Sequence, residues 1–138
     1  MDNGFILSAE LTPASFHESK YLPYCVATSK QTDKKIKAVY ADKGYFGKPN
    51  SKFLYMDNIK DCIMRKGTKS AKLTAYEKER NKELSKKRYI VEQYFGLSHL
   101  HDNAYRARFT TIAKNLFDTL CRQFAFNMKR GLKLLPVT

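Results

Sequence analysis

The run Ile36-Lys37-Ala38-Val39-Tyr40-Ala41, followed at once by Asp42-Lys43-Gly44-Tyr45, limits what this chain can fold into more than any other stretch. Its first half alternates and branches as a short buried strand does, and it stops at an acid and a glycine turn. In open α/β sheets the carboxyl end of a strand is where loops shape a pocket, so an aspartate there is placed for ligands or chemistry. Asp42 is therefore the first candidate site residue. The competing reading is a turn aspartate that only hydrogen-bonds its own backbone.

Fifty residues on, Arg88-Tyr89-Ile90-Val91-Glu92-Gln93-Tyr94-Phe95-Gly96 has helical spacing. Leu84, Val91, Tyr94 and Phe95 share one face, and Arg88 and Glu92, four residues apart, lie along its margin. Alone they could be a surface ion pair, worth under about 1 kcal/mol. Taken together, Ala41-Asp42-Lys43-Gly44-Tyr45 and the Arg-x-x-Val-Glu-x-x-Phe-Gly run from Arg88 to Gly96 resemble the second and third acidic motifs of DDE transposases from bacterial insertion sequences. Leu11-Thr12-Pro13-Ala14-Ser15, Tyr105-Arg106-Ala107-Arg108-Phe109 and Asn127-Met128-Lys129-Arg130 fit the same family in the same order.

The resemblance implies an α/β domain with an incomplete ribonuclease H-like fold, a mixed sheet flanked by helices. It implies Asp42 and Glu92 as catalytic, metal-binding carboxylates, and Mg²⁺ or Mn²⁺ as the cofactor, since hard oxygen ligands suit those ions. In such sites two metals about 4 Å apart serve an in-line phosphoryl transfer. Lys43, Lys87 and Arg88 would steady Glu92 or contact phosphates. The family's first acid lies on a strand upstream of the Thr-Pro motif, and the aspartate here before Thr12 is Asp2. The expectation is therefore a C-terminal part of a catalytic domain, residues 1–138, that lacks the first acid. The strand bearing that acid would be the neighbour of 36–41, leaving one edge of that strand unpaired. His17-Glu18 stands where the family commonly has His-Asp.

The net charge is +13, and residues 1–33 contribute none of the excess, with two lysines against four acids. From residue 34 onward, 24 basic side chains face 9 acidic ones. Such an excess is the footprint of a polyanion partner, because neutralising phosphates releases condensed counterions. A solvated lysine-rich surface is the alternative. Tyr40, Tyr45, Phe46, Tyr89 and Tyr105, interspersed among the cations, add stacking groups. The densest segment, 66–88, joins a basic loop to a basic helix. The DNA contacts expected are Lys43, Arg65, Lys66, Lys69, Lys72, Lys86, Lys87, Arg88, Arg106 and Arg108.

Residues 4–11 read as a strand. Ser15 reads as the N-cap of a short helix ending or bending near Pro23. A polar linker, residues 29–35, leads to the central strand. A helix is expected over 51–58, a strand over 61–64, and a basic loop over 65–72. Thr74-Ala75-Tyr76-Glu77 is a capping box that opens a long helix to about Gly96. The last helix spans roughly 110–132, its apolar stripe of Ile112, Leu116, Leu120, Phe124 and Met128, joined by Ala113, Phe117 and Cys121, being core or partner surface. His99-Leu100-His101-Asp102 on a loop is a weak metal clip without a third spaced ligand. No glycine-rich phosphate loop or Gly-x-Ser-x-Gly elbow occurs.

A composition 43% hydrophobic suits a folded domain, and three scattered cysteines indicate neither a disulfide framework nor a zinc knuckle. No leader and no apolar run of about 20 residues is present, so the expected setting is cytoplasmic, near the bacterial nucleoid, with no membrane. The partners expected are DNA at transposon ends and the upstream portion of a transposase or an intact copy. Two functions follow: metal-dependent DNA cleavage and strand transfer, this chain being a truncated or split-frame portion inactive alone; or a non-catalytic nucleic-acid-binding fragment that inhibits the intact enzyme.

Overall fold

The strand expected before Asp42 forms as β1 (Ala38–Ala41), and it pairs in parallel with β2 (Lys60–Ile63), Ala38 opposite Lys60 and Ala41 opposite Ile63. The computed structural model describes residues 4–13, 15–32, 35–102 and 106–135, without the side chains of residues 101 and 102. Asp2, Ala14, Asp33 and Tyr105, all used in reading the sequence, lie outside the described residues. The chain divides into two compact units, His17–Tyr89 and Met1–Phe16 with Ile90–Thr138.

In the sheet unit the two parallel strands need a crossover, and α2 (Lys48–Met56) supplies it. Side chains alternate across the strands, so each face has its own core. Val39, Ala41 and Ile63 pack with Leu22 and Val26 of α1 (Leu22–Lys30), Leu54 of α2, and Ile59. On the opposite face Ala38, Tyr40, Cys62 and Met64 meet Leu84 of α3 (Ala75–Asp102). A sheet covered on both faces explains why β1, Ala-Val-Tyr-Ala, reads as an apolar run rather than as one wet and one dry side.

The outer edge of β2 is closed by side chains. Arg80 of α3 donates to the carbonyls of Ile63 (2.9 Å) and Asp61 (3.0 Å), while the Asp61 carboxylate accepts from the Ile63 amide at 2.8 Å. One residue on, Asn81 accepts from the Arg65 amide at 2.8 Å and donates to its carbonyl at 2.9 Å. These bonds satisfy backbone groups that an edge strand otherwise leaves open. At β1 the ladder uses Lys37 and Ala41, whose carbonyls accept from Lys60 and Met64. Ala38 and Tyr40 therefore aim their backbone groups at the other edge, where no described residue hydrogen-bonds to them.

Several local expectations are corrected. Residues 4–11 form no strand. Gly4 sits at φ +62°, and the Asn127 side chain takes the place of a paired strand, accepting from the Ile6 amide (2.9 Å) and donating to its carbonyl (2.7 Å). The first cap is His17, not Ser15, and Pro23 falls in the first turn of α1, where it is tolerated, so the helix begins there instead of finishing. Pro49 likewise opens α2, three residues earlier than expected. Gly96 does not end α3, because a mid-helix glycine costs only about 1 kcal/mol. His99 to Asp102 thus lie on a helix, not a loop.

The other unit is built from the latter part of α3, α4 (Ile112–Leu134) and the docked N-terminal segment. Thr111 caps α4, accepting from the Lys114 amide at 3.4 Å. Its stripe is not core: Phe117, Phe124 and Met128 are 70%, 68% and 54% exposed. No helix among the described residues is long and apolar enough to cross a membrane.

Candidate functional site

Asp42 follows the last residue of β1 and stands at the strand's carboxyl end, as the sequence predicts. One oxygen, Oδ1, accepts from the Lys43 amide at 2.6 Å, capping the short 3-10 turn Lys43–Tyr45. The local-turn reading and the site reading are thus compatible in one residue: the cap fixes the carboxylate, whose side chain remains 58% exposed. The mostly buried Arg88 guanidinium reaches it from α3, 3.5 Å from the same oxygen, and touches the Met64 sulfur at 3.5 Å.

The loop carrying Asp42 is held from behind. The buried Asn50 amide donates to the carbonyls of Tyr45 (2.8 Å) and Ser19 (3.0 Å). Tyr45 packs on the core, and burial pushes its phenol above the usual range; Glu18, Cys25 and Asp42 add to that rise and Arg88 opposes it. The ring therefore stays protonated as the wall of a rigid turn.

The basic residues split by behaviour. Lys43 is exposed beside Asp42, and Lys87 lies over the Tyr40 ring, 5.5 Å from its centroid, with its amine 3.4 Å from the hydroxyl. Lys66, Lys69 and Lys72 are exposed on a loop that is itself ordered: the Thr68 amide donates to the Ala71 carbonyl at 2.9 Å, and the Ala71 amide to the Thr68 hydroxyl at 3.0 Å. Arg65 turns inward, over the Phe46 ring at 5.2 Å and 3.6 Å from Asp61. Lys86 pairs with Glu83 at 2.7 Å, which lowers the Glu83 carboxyl and raises the Lys86 ammonium.

Glu92, Arg106 and Arg108 belong to the other unit. Glu92 is exposed on α3, one turn after Arg88; Arg106 is exposed, and Arg108 lies 3.3 Å from Asp118. Among the described residues no group of three or more His, Cys, Asp or Glu side chains could hold a metal ion. Asp42 offers the right donor chemistry for a hard divalent cation, and the ligand number falls short.

The sequence reading missed Arg80, Asn81 and Asn50, which position β2 and the Asp42 loop. Asn81 carried a signal, a helix-disfavoured amide one turn before the core residue Leu84.

An acid at the carboxyl end of a parallel strand, steadied by a helical arginine, stands where open α/β sheets place ligands or chemistry. Residues 1–124 match the family described as Transposase DDE domain, and the chain belongs to that family. It is 38% identical over 132 residues to the transposase for insertion sequence element IS1106 of Neisseria meningitidis serogroup B, an alignment covering 96% of this chain and 44% of that protein. The chain thus spans less than half the length of this relative. No solved structure matches it.

Proposed function

We propose that this chain is the part of an insertion-sequence transposase that contributes two of the metal-binding acids, Asp42 and Glu92, to DNA strand cleavage and transfer. The observation that carries the proposal is the capped, accessible Asp42 carboxylate at the end of β1 in a chain of the DDE family. Mg²⁺ or Mn²⁺, when bound, would activate the attacking oxygen and stabilise the leaving one. Arg88 is a positioning residue: its guanidinium, 3.5 Å from Asp42 Oδ1, holds that carboxylate in one direction. A ribonuclease H-like sheet fits the β1 edge at Ala38 and Tyr40, where a further strand could pair.

DNA is the partner, met through Lys43, Lys66, Lys69, Lys72, Lys86 and Lys87 with little sequence preference. That no group of three or more such side chains among the described residues could hold a metal ion favours a second reading, a DNA-binding portion that does no chemistry alone and competes with intact transposase.

The test is to mix the purified chain with duplex DNA and Mg²⁺ or Mn²⁺. Salt-sensitive binding without cleavage is expected, log affinity falling against log salt with a slope near about −5 if six phosphates are contacted. Metal-dependent nicking that disappears in Asp42→Ala and Glu92→Ala would overturn the incomplete-site reading, and salt-independent binding would overturn the phosphate contacts.

A further inference from the structure

We propose that a cavity of about 520 Å³ between the latter part of α3 and α4 seats a stretch of DNA phosphodiester backbone, as a second contact apart from the lysine loop and the first half of α3. This rests on the reading of the chain as DNA-binding. The cavity's described lining lies within the helical unit, and among the described residues five cations, Arg108, Arg122, Lys129, Arg130 and Lys133, line it with one acid, Asp118.

That acid organises the cations. Asp118 Oδ2 accepts from Arg122 at 2.7 and 3.1 Å, and Oδ1 lies 3.3 Å from Arg108, so one carboxylate holds two guanidiniums in place. Arg122 is thereby fixed though its side chain is only 10% exposed. The backbone next to Arg108 is fixed as well. Asn115 of α4 donates to the carbonyls of Phe109 (2.6 Å) and Thr111 (2.9 Å) and accepts from the Phe109 amide (3.1 Å). A preorganised row of cations loses less entropy on meeting an anion than free lysines do.

The shape selects a polymer over a single anion. Arg122, Lys129 and Lys133 follow one face of α4 over eleven residues, roughly 16 Å of helix. Successive phosphates of a duplex strand rise about 3.4 Å each, so this row spans several of them. Phe126, standing edge-on to Tyr94 with ring centroids 5.1 Å apart, gives the cavity an apolar wall against which a sugar can lie.

Cys121 lines the same cavity and is exposed, whereas Cys62 is buried, so in a Cys25→Ser background the Cys121 thiol reports on the cavity. Maleimide labelling of Cys121 should slow several-fold when short duplex DNA is added. Lys129→Gln with Lys133→Gln, whose folding is checked by circular dichroism, should weaken duplex binding about tenfold and make the salt slope shallower by about 2. Duplex bound with unchanged slope in that variant, with Cys121 labelled at the free rate, would overturn this seat while leaving DNA binding intact. Protection by inorganic phosphate equal to that by duplex would overturn the backbone reading in favour of a small-anion site. No duplex binding by the parent chain would remove the underlying DNA-binding reading itself.

Discussion

The sheet unit and the helical unit use the same kind of sequence and bury it differently. In the first, Leu54 and Ile63 are fully buried, Arg80 and Asp61 bond the outer backbone of β2, and Asn81 bonds that of Arg65 just beyond it. In the second, the buried residues of α3 and α4 are Ser98 and Gln123, while Phe117, Leu120, Phe124, Met128 and Leu132 stay exposed. Periodicity reveals that a helix has an apolar face but not what covers it, and among the described residues this stripe lies on the surface rather than in a core.

The sharpest way to break the comparison is to truncate one apolar side chain in each unit. Ile63→Ala should cost about 3 kcal/mol, because it removes a fully buried side chain and leaves a cavity. Phe124→Ala, at an exposed position, should change stability by less than about 0.5 kcal/mol. Urea unfolding measures both. Equal costs would show that the stripe of α4 is packed as firmly as the sheet.

The next effect tests whether side chains truly close β2. Asn81→Ala strips the amide and carbonyl of Arg65 of their partners, at a cost of about 2 kcal/mol. The Arg65 amide should then exchange with solvent much faster than in the parent. If its protection is unchanged, water or a neighbour replaces Asn81, and the edge is less dependent on α3 than the bonds suggest.

A smaller effect belongs to the start of α3. Thr74 donates from its amide to the Glu77 carboxylate at 2.9 Å and accepts from the Glu77 amide at 3.2 Å, the reciprocal box that the sequence predicts. Thr74→Ala should cost about 1 kcal/mol at neutral pH. The amide of residue 74, which the variant keeps, and the Thr74 hydroxyl at 3.1 Å, which it loses, hold the Glu77 carboxyl below its ordinary value of 4.5. A carboxyl lowered in the folded state contributes stability above the unfolded value and loses it as pH falls through the folded one. The difference between parent and variant should therefore narrow in acid, below about pH 4.5, and a difference that stays constant into that range would assign the effect to the threonine alone.

Legibility followed the range of the interactions. β1, the acid at its end, the crossover helix and the Thr74 box were readable because each depends on neighbours within a few residues. Local rules failed where distant partners decide. Residues 4–11 alternate well enough for a strand, yet Asn127, 121 positions from Ile6, takes up the backbone groups a strand would need. Pro23 was read as the place where a helix ends or bends, whereas it stands in the first turn of α1, since proline fits the first turn as well as it breaks a later one. At the candidate site, Asp42 was legible from its place after an apolar run. Arg88 was read as a neighbour of Glu92 and as a phosphate contact, not as the partner of Asp42, because contact across a strand and a helix leaves no spacing in the sequence.

The mildest prediction isolates that long-range clamp. Asn127→Ala removes both bonds to Ile6, the amide bond at 2.9 Å and the carbonyl bond at 2.7 Å. Residues 4–7 make no other regular backbone pairing, and Phe5 and Leu7 are already 42% and 53% exposed, so little apolar burial is lost with the clamp. The urea midpoint should move by no more than about 0.5 kcal/mol equivalent. Hydrogen exchange at the Ile6 amide should rise toward the rate of an open chain, while the Ile63 and Met64 amides stay as protected as before. Asn127→Asp sharpens the result, because a carboxylate can still accept from the Ile6 amide but has no hydrogen for its carbonyl, and should restore part of the amide's protection. Were Ile6 to remain protected in Asn127→Ala, the segment would be held by its own extended backbone after all, and the contrast between a paired sheet unit and a side-chain-clamped helical unit would fail at its N-terminal end.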